Sequence, residues 1–276
     1  MKKITIYHLC FILLAAISLS GCYKLQKDYQ YNGYSLDPHI NISAKDFLLS
    51  RGTAGVGSDT IFKWMQLGLE YSGIDFAEFE KPGRTFIFLH NSAIRTTSGS
   101  GSSLKVTGGF FFDYPVVAKD VNGNIIKSII DPTLDSLRPA FQWSEYPQAF
   151  VKNYFLYLIL QGEYTFENLT VSNTSIQTLL PANTVAARGD SKLSWVVTKS
   201  APNPDATLAA NITLIPNGGG SGFDPEGKIN LKLVNTQDAP IMINDRVNDR
   251  SAGYFTTNGK VHVYDKTIGP FRYSYP

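Results

Sequence analysis

Cysteine is almost missing from this chain of 276 residues: there are two, Cys10 and Cys22, and none beyond position 22. The body of the protein therefore carries no disulfide, and its stability must come from packing and sheet pairing. Histidine is scarce too. His39, His90 and His262 lie too far apart in sequence for the close ligand spacing of a zinc site, so no metal is expected. An excess of charge of one sign is also lacking. The formal net charge is +2, and lysines and arginines are scattered, which leaves no electrostatic footprint for nucleic acid. Glycines are frequent, but the run Ser98-Gly99-Ser100-Gly101-Ser102-Ser103 does not follow a phosphate-cradling pattern, so no cofactor is implied.

Aromatic side chains are plentiful, with 15 tyrosines and 17 phenylalanines. Most suit a β-rich core. Trp64, Trp143, Tyr146, Trp195 and the segment Phe110 to Tyr114 are candidate stacking surfaces for a ligand.

Hydrophobic spacing divides the chain into early helices and late strands. Ser43 precedes a short helix over Ala44 to Leu49, with Ser43 and Asp46 at capping-box spacing. Asp59 reads as the N-cap of a second helix, with Ile61, Phe62, Met65 and Leu69 on one face and a stop near Gly73. Thr85 to Leu89 is short, apolar and β-prone, a buried strand. Gly109 to Val117 and Ile125 to Ile130 flank Asn122-Gly123-Asn124 and predict a hairpin, with Pro115 marking an edge or bulge. Pro147 opens a third helix carrying Phe150, Tyr154 and Leu158, expected to end at Gly162. Strands are expected near Ser191 to Ser200, Ala209 to Ile215, Lys228 to Val234, Ile241 to Asn244 and Val261 to Asp265. The order argues for an α+β fold.

The N-terminus has its own pattern. Lys2 and Lys3 precede an apolar run from Ile4 to Leu19, too short to span a bilayer, and Leu19-Ser20-Gly21-Cys22 closes it. This resembles the lipobox of bacterial lipoproteins. The resemblance implies a signal peptide over 1–21, a diacylglyceryl group on the thiol of Cys22 and durable attachment by two or three acyl chains. Tyr23 in place of the aspartate of inner-membrane retention favours the outer membrane. Residues 22–42 then form a polar tether with Asn32-Gly33 and Asp37-Pro38 turns.

Three further segments resemble fasciclin (FAS1) domains, in that family's order. They are Thr85 to Leu89 with Asn91-Ser92-Ala93-Ile94, then Phe155 to Tyr164, then Tyr254 to Asp265 followed by Ile268-Gly269-Pro270. The resemblance implies a single enlarged domain over 43–276, a β-sheet wedge with N-terminal helices packed on it and insertions near 96–139 and 199–227. Asn258, Gly259, His262 and Asp265 match the closing motif. Asn258-Gly259 should supply the positive φ of a tight hairpin, and His262 with Asp265 an orienting hydrogen bond rather than a catalytic pair. The chain departs from the family at His90, where proline is common, and at Leu158, where histidine follows tyrosine.

No serine or cysteine nucleophile sits in a recognisable motif, so the expected function is non-enzymatic. The chain reads as a cell-envelope lipoprotein that displays inserted loops for adhesion or for binding an extracellular or envelope protein or glycan. The alternative is an accessory glycan-binding subunit of an outer-membrane nutrient-uptake system, which requires exposed aromatics on one face. A glycosidase would require two carboxylates converging in a cleft.

Overall fold

The run Thr85-Phe86-Ile87-Phe88-Leu89 is apolar beyond its first residue because the strand it forms is covered on both faces, as parallel central strands generally are. In the computed structural model the described residues are 37–56, 59–99, 105–107, 109–112, 115–129, 131–184, 196–199, 212–214, 223–235 and 240–272. In chain order the elements begin α1 (Ala44–Ser50), α2 (Lys63–Ser72), β1 (Arg84–Leu89), α3 (Asn91–Ile94), β2 (Thr96–Ser98), β3 (Lys105–Thr107), α4 (Gly109–Phe112), β4 (Pro115–Val117) and β5 (Leu137–Pro139). They continue with α5 (Gln148–Tyr157), β6 (Ile159–Gln161), β7 (Thr174–Gln177), β8 (Val196–Lys199), β9 (Ile212–Leu214), β10 (Lys228–Leu233), β11 (Ile241–Ile243), β12 (Val247–Asn248), β13 (Ser251–Phe255) and β14 (Gly259–Tyr264). Short 3-10 turns occupy Phe76–Glu80 and Trp143–Glu145.

Two four-stranded sheets form the frame, in the orders β13-β14-β1-β6 and β12-β11-β10-β7. β1 and β14 are parallel, from Arg84 opposite Gly259 to Leu89 opposite Tyr264. β13 and β6 flank them antiparallel. The sheets meet where Leu160 bridges Thr178 and the Leu179 N–H donates to the Ile159 carbonyl at 2.9 Å. The fold is α+β, with helices segregated from mainly antiparallel sheets. Residues Pro38 to Ile42 run beside β13, with reciprocal backbone bonds between Phe255 and both Pro38 and Ile40.

Alternation along β1 sorts its side chains. Phe86 and Phe88 face the helices, where Phe79 stacks on Phe86 at 5.2 Å and Phe62 meets Phe88 edge-on at 5.2 Å. Each fully buried phenylalanine of this cluster contributes about 1.5–3 kcal/mol. Helices α2 and α5 pack closely because Gly68 has no Cβ: one there would lie 2.6 Å from the Phe155 ring.

Several expected boundaries move. α2 starts at Lys63, not after Asp59, because the carbonyls of Thr60 and Ile61 are taken by the side chain and backbone of Asn91. Asp59 instead faces Arg51 at 3.6 Å. α5 ends at Tyr157, short of Gly162, because the Leu158 carbonyl accepts the Ile87 N–H and the chain turns into β6. The expected strand over Gly109 to Val117 is a helical turn, α4, followed by a short strand. The strands expected near Ser191 to Ser200 and Ala209 to Ile215 appear as the paired β8 and β9, whose neighbouring segments lie outside the described residues. Among the described residues no helix is long and apolar enough to cross a membrane.

Candidate functional site

The closing motif and the Thr85 segment lie side by side as β14 and β1, and the motif residues hold this seam. The Asn258 carboxamide accepts the Ala44 N–H at 2.9 Å and donates to the carbonyl of Phe79 at 2.9 Å, tying the start of α1 to the 3-10 turn. Gly259 is not at positive φ, contrary to the hairpin expectation. Its role is close approach, since a Cβ there would lie 2.5 Å from the Arg84 carbonyl oxygen across the parallel pair. A pair of consecutive residues at positive φ lies elsewhere, at Asn244 and Asp245 between β11 and β12.

His262 does not pair with Asp265. It is fully buried, its Nδ1 accepts the Gly253 N–H at 2.9 Å, and Nε2 lies 2.9 Å from the Tyr164 carbonyl. An acceptor at Nδ1 requires the neutral tautomer protonated at Nε2, which then donates to Tyr164. Gly253 sits at φ +78° in an irregularity of the β13–β14 pairing, so His262 pins a bulge in an edge strand. Burial pushes its pKa down to about 4, against the opposing effect of the Tyr164 bond. Asp265 lies beyond the end of β14. Its carboxylate faces Arg250 at 3.6 Å and its carbonyl accepts the Ser92 hydroxyl at 3.1 Å.

The turn after β1 is equally structural. His90 caps α3, with Nδ1 accepting the Ser92 N–H at 3.1 Å, and burial first, then Arg250, lowers its pKa against the pull of Asp265. Asn91 accepts the Trp64 N–H at 3.0 Å, joining this turn to α2. Tyr157 and Leu158 are buried, with the Tyr157 hydroxyl accepting from Asn244 at 2.9 Å and its pKa raised by burial.

Most of the proposed stacking aromatics are inside. Trp143 is 3 % exposed, Tyr146 is buried, and Phe111 packs edge-on against both at 4.8 and 5.1 Å. Their polar atoms are also occupied: the Trp143 indole N–H donates to the Trp64 carbonyl at 2.9 Å, and the Tyr146 hydroxyl donates to the Phe111 carbonyl. α4 forms because Phe111 and Phe112 must reach this cage, which overrides strand alternation. Trp64 is partly buried beneath Arg95. Tyr114, Trp195 and Cys22 lie outside the described residues, as do the signal peptide and most of the tether.

What the surface does present is apolar aliphatic, on the segment between β4 and β5. Val121 is 100 % exposed and Ile129 93 %, and Ile125, Ile126 and Leu134 are exposed beside them. The segment folds into a finger with defined bonds. Ala118 donates to the Ser136 carbonyl at 2.8 Å, Ser136 to Ile126 at 2.8 Å and Ile126 back to Ala118 at 3.0 Å. At one tip the Asp120 carboxylate accepts the backbone N–H groups of Asn122 and Asn124, bonds from Asn124 foremost holding its pKa below the usual range. At the other, Asp131 accepts from Thr133 at 2.9 Å. Lys127 pairs with Asp135 at 2.6 Å, and Arg138 with Glu145 anchors the base at 2.5 Å. The sequence shows the signal as Ile125-Ile126 and Ile129-Ile130, apolar pairs without strand alternation next to an Asn-Gly turn.

Among the described residues, the acidic pair that converges is taken up by an arginine. Asp224 and Glu226 both bind Arg272, and Asp224 also accepts the Lys228 N–H, so the buried Asp224–Arg272 pair, with Glu226 at its exposed rim, ties Arg272 to the start of β10. Among the described residues no three His, Cys, Asp or Glu side chains are grouped to hold a metal ion. The chain matches no protein-family model and no curated protein.

Proposed function

We propose that this chain is a lipid-anchored envelope protein, fastened through Cys22, whose FAS1-like domain displays the 118–136 finger to a protein partner. The observation that carries the reading is the finger: five exposed large aliphatic side chains within one short, hydrogen-bonded insertion. Concentrated exposed apolar surface marks interaction sites, whereas single exposed residues do not. A finger already fixed by Asp120 and Asp131 loses little conformational freedom on binding. A protein partner is preferred to a sugar because Trp143, Tyr146, Phe111 and Phe112 are committed to the core. The FAS1-like reading is supported by the parallel adjacency of the two segments that resemble family signatures, and by Asn91 and Asn258 serving as tethers between strand ends and helices.

The test places a photo-crosslinking residue at Ile129 in the full-length protein in cells, with Lys152 on α5 as control. A discrete protein adduct at Ile129, absent at Lys152 and lost in Ile125→Ser, is expected. Adducts equal at both positions, or adducts to glycan alone, would overturn the reading. Labelled palmitate should enter the wild type and not Cys22→Ala, and equal labelling would remove the anchor from the account.

A further inference from the structure

Arg95 is a cation held in place without a counter-ion among the described residues. It follows α3 in extended conformation, its N–H bonded to the Asn91 carbonyl. Its guanidinium carbon lies 4.4 Å from the ring centroid of Trp64 and 5.7 Å from that of Phe112. Arg51, Arg84, Arg138, Arg250 and Arg272 each face a carboxylate within 4.0 Å, but among the described residues Arg95 faces none. Its Nε is buried with no hydrogen-bond partner. Burial lowers its pKa.

The platform beneath it is rigid. The Trp64 N–H is bound by Asn91, its carbonyl by the Trp143 indole, and Phe112 is fully buried against Trp143 at 5.1 Å. Stacking on aromatic faces offsets part of the cost of desolvating a guanidinium but satisfies none of its N–H donors. Nε is closed off by its surroundings, so an incoming acceptor would meet the terminal Nη groups, which are not among the buried atoms.

We propose that Arg95, on its Trp64 and Phe112 platform, binds an organic carboxylate. A guanidinium fork matches a planar carboxylate in two parallel bonds. A single positive charge matches a monoanion, whereas a phosphate dianion would stay half-neutralised beside the negative faces of two rings. The hydrocarbon part of the ligand would lie against the exposed part of Trp64. The carboxylate can come from an acidic side chain of a protein or from a uronic acid of a glycan, and this inference stands independently of the finger and its partner.

The test follows the side-chain Nε–H signal of Arg95 by NMR in the full-length protein labelled with 15N-arginine. N-acetylglutamate amide, methyl glucuronide and inorganic phosphate are titrated separately. A saturable shift with either carboxylate in the millimolar range is expected, and the tighter of the two assigns the source. Arg95→Ala should weaken the binding, read from the Trp64 indole signal, about tenfold or more, and Arg95→Lys should restore it in part. No saturable shift with either carboxylate, equal binding of phosphate, or undiminished binding in Arg95→Ala would overturn the proposal. Unchanged backbone spectra of the variants separate loss of the site from loss of the fold.

Discussion

Protonating His262 should open the edge of the main sheet, and the structure sets the scale. Its Nδ1 must accept from Gly253, so a proton there sets two donors against each other in a fully buried place. The folded pKa is depressed to about 4 from an ordinary value near 6.5. As pH falls below about 6.5 the unfolded chain takes up the proton first, so stability is complete above that value and is lost progressively down to about 4. A shift of this size corresponds to about 3 kcal/mol at the lower end. Asp249 acts the other way. Burial raises its pKa to about 6, so its contribution falls as pH rises from the ordinary carboxylate range through about 6. Denaturant midpoints of wild type and His262→Gln should therefore be compared at each pH, the difference isolating the histidine. Glutamine can accept from Gly253 and donate to Tyr164 without titrating. Wild type should lose about 3 kcal/mol relative to the variant as pH falls from 7 to 4. A difference that stays constant across that range would refute both the tautomer and the role of the bulge.

Gly259→Ala should destabilise the fold by about 1–3 kcal/mol in denaturant melts, because the new methyl meets the Arg84 carbonyl rather than a flexible side chain. A variant as stable as wild type would place the strands farther apart than the structure has them. Arg272→Met should cost about 3–5 kcal/mol by stranding the buried Asp224 carboxylate, with much of the loss recovered in the double variant carrying Asp224→Asn. Ile125→Ser with Ile129→Ser should change stability by less than about 0.5 kcal/mol while abolishing the Ile129-region contact, since both side chains face solvent.

Where local chemistry decided the structure, the sequence showed it. Thr85 to Leu89, Lys228 to Val234 and Ile241 to Asn244 are strands within a residue or so of their expected ends, and Ser43 caps α1 through the Asp46 N–H as its spacing implied. Where distant groups decided it, the sequence was silent. Asn91 lies far along the chain from the helix start it shifts, and Ile87 from the helix end it captures. β13 is not legible in the sequence because the bulge at Gly253 breaks its alternation, and the reason for that bulge, His262, is on the next strand. The motif residues were recognisable, but their work was not: Gly259 relieves a close approach instead of turning the chain, and His262 answers to two backbone groups instead of Asp265. The exposed side of the finger was hidden for a similar cause. Ile125 and Ile126 have the composition of core strand, and only the closed bonding among Ala118, Ile126 and Ser136 turns them outward.

The most direct measurement is hydroxyl-radical footprinting of the full-length protein in native envelopes and after purification. If the finger is the part that is touched, Val121, Ile125, Ile129 and Leu134 are shielded in envelopes and reactive once purified, while Val56 and Val171, exposed elsewhere, react alike in both. Equal reactivity of the finger in the two states, or shielding confined to Val56 and Val171, would contradict the account.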